Sequence, residues 1–202
     1  MMRYETFSSD RRFESMNWAF IRALIVLPGT VAVLIPALIL WVSAGTKYAA
    51  EVARPDQAVF WFALLVAGSG LALRVWTDVL FLRFGNGTLA PWNPPTKLVI
   101  RGPYRHVRNP MISSVVIILL GECLFFQSWP LAAWVVLFFG VHLIYFPVIE
   151  EKGLIKRFGN DYLIYKINVP RWIPRMQPWP GSTLGANEDS RYRQNSGGGR
   201  DS

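Results

Sequence analysis

Four apolar stretches, separated by polar segments of unequal charge, organise the chain. The first runs from about Ala23 to Val42 and carries Pro28 and Pro36; the second runs from Ala58 to Leu82, the third from Met111 to Phe126 and the fourth from Leu131 to Ile149. A membrane-spanning helix needs roughly 20 apolar residues, and the lengths predict four such spans. Prolines inside a span are tolerated because neighbouring helices satisfy the carbonyls they free. Only Gln127-Ser-Trp-Pro130 separates the third run from the fourth, so the two form a tight antiparallel hairpin. Within the second run Arg74 and Asp78 stand one helical turn apart, the spacing of an ion pair on one face. After the fourth run Leu154, Phe158, Tyr162 and Tyr165 recur at spacings of three and four, which predicts an amphipathic helix. Gly159 weakens that helix, and Val169-Pro-Arg-Trp-Ile-Pro174 ends it. The expected fold class is therefore all-α: a polytopic membrane helix bundle of about four transmembrane helices plus a cytoplasmic C-terminal amphipathic helix. Residues 1–180 read as one membrane domain, and the Gly/Ser-rich polar stretch 181–202 as a disordered tail.

Composition sharpens this picture. Charged residues make up 17% of the chain, against about 25% in ordinary soluble domains. The net charge of +8 fits cytoplasmic loops and anionic headgroups. No zinc-finger spacing or other nucleic-acid motif accompanies it, so no nucleic-acid partner is expected. Cys123 is the only cysteine, which excludes an intrachain disulfide. The first apolar run begins after a polar segment containing Arg3, Arg11 and Arg12 and is too long for a signal core, so it reads as a retained span.

Basic residues set the expected orientation. Arg3, Arg11, Arg12 and Arg22 precede the first span; Arg83, Lys97, Arg101, Arg105 and Arg108 lie between the second and third; nine Lys or Arg follow the fourth. The loop between the first two spans holds only Lys47 and Arg54, and the hairpin turn holds none. The positive-inside rule places both termini and the Arg83–Asn109 loop in the cytoplasm. Trp41, Trp76, Trp92, Trp129 and Trp172 fall near the expected interfaces.

Candidate chemistry concentrates in Arg101-Gly-Pro-Tyr-Arg-His-Val-Arg-Asn-Pro-Met111 and in Glu150-Glu151. A basic loop alone is ordinary topology information, and an acidic pair alone is an ordinary helix start. Tyr104, Asn109 and the flanking prolines add rigidity and hydrogen-bonding capacity that topology does not require. The hairpin returns Glu150 to the bilayer side on which Asn109 lies, because its two arms rise by similar amounts. The cationic turn and the acids should then face each other across one cytoplasmic pocket. Glu122 and His142, within the third and fourth runs, read as a helix-to-helix hydrogen-bonded pair, with a catalytic base as the sharper alternative.

Gly-Pro-Tyr-x-x-Val-Arg-Asn-Pro-Met, a helical hairpin, then Glu-Glu-x-x-Leu-x-x-x-Phe-Gly-x-x-Tyr-x-x-Tyr-x-x-x-Val-Pro-Arg resembles the isoprenylcysteine carboxyl methyltransferase and phospholipid methyltransferase superfamily. The resemblance covers about Thr96 to Pro174 and implies an integral-membrane methyltransferase that uses S-adenosyl-L-methionine. It implies a cofactor half over 96–174. The pocket it implies is built from Lys97, Leu98, Val99, Tyr104, Arg108, Asn109, Pro110, Met111, Glu150 and Glu151, with no metal and no assigned catalytic residue. The expected acceptor is a lipid or other amphiphilic small molecule reaching the pocket from the membrane bilayer. The family commonly has His where this chain has Asn109 and Tyr where it has Ile112. Its prenylcysteine branch has an Arg just before the acidic pair, where Tyr145-Phe-Pro-Val-Ile149 carries no cation. The rival readings are an NADPH-dependent membrane reductase of related architecture and an inactive membrane scaffold.

Overall fold

The computed structural model describes residues 29–84 and 98–181. Among the described residues every regular element is helical. Helix α1 covers Thr30–Ser43, α2 Ala58–Phe84, α3 Pro110–Phe125, α4 Trp129–Tyr145 and α5 Glu151–Asn168, with a short 3-10 turn over Gly102–Arg105. The expectations for Lys97, Trp92, the N-terminal arginines and the 182–202 part of the tail lie outside the described residues.

Two prolines shape the helices in the same way. Pro36 offers no N–H, and its ring crowds the preceding turn. The chain relaxes by widening Thr30–Leu34 into a π-turn, in which the Ile35 N–H reaches the Thr30 carbonyl. The Val31 carbonyl, which the next π-type donor at Pro36 cannot serve, accepts instead from Trp134 Nε1 at 3.3 Å. A local defect in α1 thereby becomes its tie to α4. Pro147 likewise sits in a π-turn, Phe146–Glu150, and the Glu151 N–H bonds to the Phe146 carbonyl. Helices α4 and α5 and this turn make one continuous stretch, Trp129–Asn168, of 40 residues.

Helices α2 and α3 form the closest pair. A Cβ on Gly121 would lie 2.6 Å from the Ala67 backbone nitrogen, and one on Gly70 would lie 2.8 Å from the Ile118 nitrogen. Small residues at a crossing let backbones approach, which is how helices associate where lipid removes the hydrophobic drive between them. Ala32, Val115, Leu119, Val135 and Phe138 fill the space among α1, α3 and α4. The Arg74–Asp78 pair forms as its spacing predicts, with Nε to Oδ2 at 2.9 Å. Glu122 and His142 do not pair: His142 Nδ1 donates to its own helix's Phe138 carbonyl at 2.8 Å, and Glu122 Oε2 has no partner among the described residues. Glu122 stands in the last turn of α3, not midway along it.

The long apolar helices face outward. Only 11% of the most apolar window of α2 and 17% of that of the Trp129–Asn168 stretch is buried. Leu65, Leu71, Val136, Leu137 and Ile144 are all exposed. A core helix of a water-soluble protein hides such side chains, so this surface belongs against hydrocarbon. From Trp129, 81% exposed at one end, to Glu150 the helix rises about 32 Å at 1.5 Å per residue, close to the roughly 30 Å of a bilayer core.

Candidate functional site

At the Glu150 end three segments converge. The first is the turn before α3. Gly102 adopts φ +54°, and a Cβ there would strike Leu80 at 3.0 Å and Trp76 at 3.2 Å, so glycine lets this loop lie flat on α2. Pro103 and Tyr104 are buried beneath it. The second segment is the start of α5. The third, missed in the sequence, is the strap of residues 170–181 after α5, which runs back along the loop. Arg108 N donates to Pro170 O (2.9 Å), Arg175 N to His106 O (3.0 Å) and Trp179 N to Arg105 O (3.0 Å). Arg105 Nε returns a bond to Trp179 O at 2.7 Å. Tyr162, Tyr165, Val169 and Trp179 form a second core beneath the strap, with Leu98, Leu154 and Phe158 against it.

Glu151 is the hub. Its side chain is 2% exposed and meets three cations: Arg108 Nη1 at 2.9 Å, Arg171 Nη2 at 2.7 Å and Lys166 Nζ at 2.7 Å. Burial alone would raise its carboxyl. The Lys166 and Arg171 hydrogen bonds and the Arg108 and Arg171 charges outweigh that and hold it below 4.5. The cluster carries three positive charges against one, so it retains an excess of positive potential. Glu150, one residue earlier and exposed, makes no ion pair among the described residues. Adjacent residues on a helix point about 100° apart, so the two acids, read from sequence as a pair, meet different surroundings.

Several polar atoms near this hub are buried without partners among the described residues: Arg108 Nε, Asn109 Nδ2, Tyr162 Oη and Trp172 Nε1. Tyr162 Oη lies beside the Arg108 guanidinium, close enough to feel its charge, without a well-formed hydrogen bond. Burial pushes the Tyr104, Tyr162 and Tyr165 hydroxyls above the ordinary phenol range, so all three stay neutral near pH 7. The Tyr165 hydroxyl donates to Tyr104 O at 2.7 Å.

The remaining expected site residues fall as follows. Tyr104 packs inward, 5.5 Å from the Phe81 ring, so its face is not open for stacking. Val99 is buried and Leu98 half-buried in the second core. Asn109 caps α3 without a side-chain bond of its own to the helix; Pro110 is fully buried behind it, and the Met111 carbonyl accepts from Ser114 Oγ at 2.6 Å. The first backbone bond of α3 runs from Ser113 N–H to Asn109 O at 3.0 Å, so the Met111 and Ile112 N–H groups have no helical acceptor. Lys166 and Arg171 were not assigned to the site from sequence, and Trp172 was read only as an interface ring. Their only signal was the Val-Pro-Arg run that follows the amphipathic helix. Trp172 packs against Phe139 at 5.2 Å and Phe146 at 6.3 Å.

An outward-apolar helical bundle with a buried charged centre at one rim defines an integral membrane protein with a polar site at the edge of the lipid. A model of the phospholipid methyltransferase family matches residues 59–161. That is 103 of 202 residues, and the chain belongs to this family. It is a membrane methyltransferase in that general sense. No curated protein matches it. The matched region runs from α2 through the Arg108 turn and the hairpin into α5, so it spans both halves of the Arg108–Glu151 contact.

Proposed function

We propose that the rim site binds S-adenosyl-L-methionine and delivers its methyl group to a lipid or amphiphile entering from the bilayer. The observation that carries this reading is the set of buried donors at Arg108 and Asn109 left without partners among the described residues, together with Glu150, which makes no ion pair among them. Together they match a zwitterion. Asn109 Nδ2, Arg108 Nε and the free N–H groups of α3 would receive its carboxylate. Glu150 would receive its ammonium. Tyr162 and Trp172 offer further donors for oxygen or nitrogen acceptors on the nucleoside part.

When bound, the cofactor supplies a methyl carbon activated by an adjacent sulfonium, which an acceptor displaces in line. The chain's own task is to align the two partners and exclude water. Glu151, Lys166 and Arg171 do not touch the ligand in this scheme. Glu151 holds Arg108, and through Arg171 it holds the strap, so the binding edge of Arg108 is fixed before the ligand arrives. The neutral tyrosines serve as donors and not as bases. Both termini and the pocket lie on the cytoplasmic side, with residues 96–174 as the cofactor half.

Calorimetry with purified protein tests the cofactor. S-adenosylhomocysteine should bind, and Asn109→Ala should weaken it. Binding of NADPH with no response to S-adenosylhomocysteine would overturn the proposal in favour of a reductase.

A further inference from the structure

We propose that Ile167, Ile173 and Met176 form a second membrane contact, a face that seats the end of α5 and the strap on the anionic surface of the leaflet beside the site. The inference needs only that α4 crosses the bilayer and is independent of the cofactor reading.

The three side chains are 84%, 81% and 96% exposed. A bond from Arg175 Nη1 to Asn168 O at 2.7 Å ties the strap residue before Met176 to the helix residue after Ile167. Their exposure is not a failure of packing, because the opposite side of the same segment is closed. Tyr162, Tyr165, Val169 and Trp179 are each at most 6% exposed. The segment therefore has two apolar sides, one covered by protein and one left open.

The backbone brings the open side to the lipid. Run straight, the Trp129–Asn168 stretch would extend about 60 Å, twice the bilayer core. It does not run straight. Gly159 adopts φ 54°, ψ −129° inside α5, a conformation only glycine takes without strain. Nothing lies within 4 Å of a Cβ placed there, so glycine serves the kink and not close packing. Beyond the kink the chain returns, and Pro170 O meets Arg108 N at 2.9 Å. Arg108 stands two residues before α3, at the level where that helix leaves the rim. The strap is thereby held at headgroup depth.

Charge selects the lipid. Residues 151–181 carry six Lys or Arg against Glu151 and Asp161. Among the cations after the kink, the Lys166 side chain keeps 38% exposure and that of Arg171 25%. Apolar side chains rimmed by cations suit an anionic phospholipid monolayer better than a second copy of this equally basic chain.

The test uses a Cys123→Ala background carrying either Met176→Cys or Ile173→Cys, labelled with an environment-sensitive fluorophore and reconstituted in phosphatidylcholine–phosphatidylglycerol vesicles. Shallow spin-labelled lipids should quench most of the emission at both positions, and less when phosphatidylglycerol is left out. Lys156→Cys, before the kink, should stay unquenched. Water-like emission without quenching would overturn the proposal. So would blue-shifted emission that lipid spin labels cannot reach, since that places a second copy or the chain's own N-terminal segment on this face. Quenching in protein that fails to bind S-adenosylhomocysteine would leave this inference standing and remove only the cofactor assignment.

Discussion

Glu151→Gln is the sharpest perturbation of the site because the two roles open to Glu151 predict different results. In the structure its carboxylate is 2% exposed and neutralises Arg108, itself 8% exposed. Breaking a buried ion pair from one side costs about 3–5 kcal/mol, because the surviving charge stays buried. The Lys166 bridge is 38% exposed and adds under about 1 kcal/mol. Taking the lower end, a loss near 3 kcal/mol should lower the melting temperature by about 6–12 °C in a chain of this size. Arg108 then loses its fixed orientation, so S-adenosylhomocysteine should bind about tenfold to a hundredfold more weakly, the worth of one charge-assisted hydrogen bond. The assay is thermal unfolding in detergent beside calorimetry, repeated for Arg171→Gln and for the double variant. Residues sharing a hub should couple by about 0.5–3 kcal/mol. If Glu151→Gln weakens binding but leaves the melting temperature unchanged, and its effect adds to that of Arg171→Gln, then Glu151 is a direct ligand and the positioning role is wrong.

Asn109→Ala should behave in the opposite way. Its amide nitrogen has no partner among the described residues, so removal should leave the melting temperature nearly unchanged while weakening S-adenosylhomocysteine by about tenfold. Equal losses in both would place Asn109 among the structural residues. The Glu151 carboxyl is held below 4.5, so its stabilisation is fully present above that pH and is lost as pH falls through the folded-state value. Melting temperature should therefore drop on acidification below about pH 4.5 in the wild type, with a shallower drop in Glu151→Gln; identical acid profiles would contradict the linkage. Gly121→Leu should force α2 and α3 apart, since even a Cβ meets the Ala67 backbone at 2.6 Å. A loss of about 1–3 kcal/mol or more is expected, and an unchanged melting temperature would mean the helices do not cross there.

Much of the fold was legible because lipid imposes a simple rule on sequence. The ends of α2, α3 and the Trp129 end of α4 fall within two residues of the apolar runs, and the Arg74–Asp78 spacing translated directly into a contact. The Leu154, Phe158, Tyr162 and Tyr165 face also appears as one packed side of α5. What sequence could not convey was phase and return. A π-turn at Pro147 is invisible to a count in steps of three and four, and Glu151, the residue after it, enters a three-cation hub while Glu150 stays outside. The strap reads as a string of prolines and aromatics, and its pairing with Arg105–Arg108 rests on backbone bonds between residues more than sixty positions apart. Glu122 and His142 illustrate the converse error. Two polar residues on adjacent helices suggested a pair, but a histidine can satisfy itself on its own helix carbonyl one turn back.

The most direct measurement is transfer of labelled methyl from S-adenosylmethionine to a total lipid extract by the reconstituted protein, wild type against Glu150→Gln. The account predicts label in a lipid fraction for the wild type, and a marked loss for a variant that folds and melts normally because Glu150 belongs to no ion pair among the described residues. No transfer to any lipid class by the wild type, or undiminished transfer by Glu150→Gln, would contradict it.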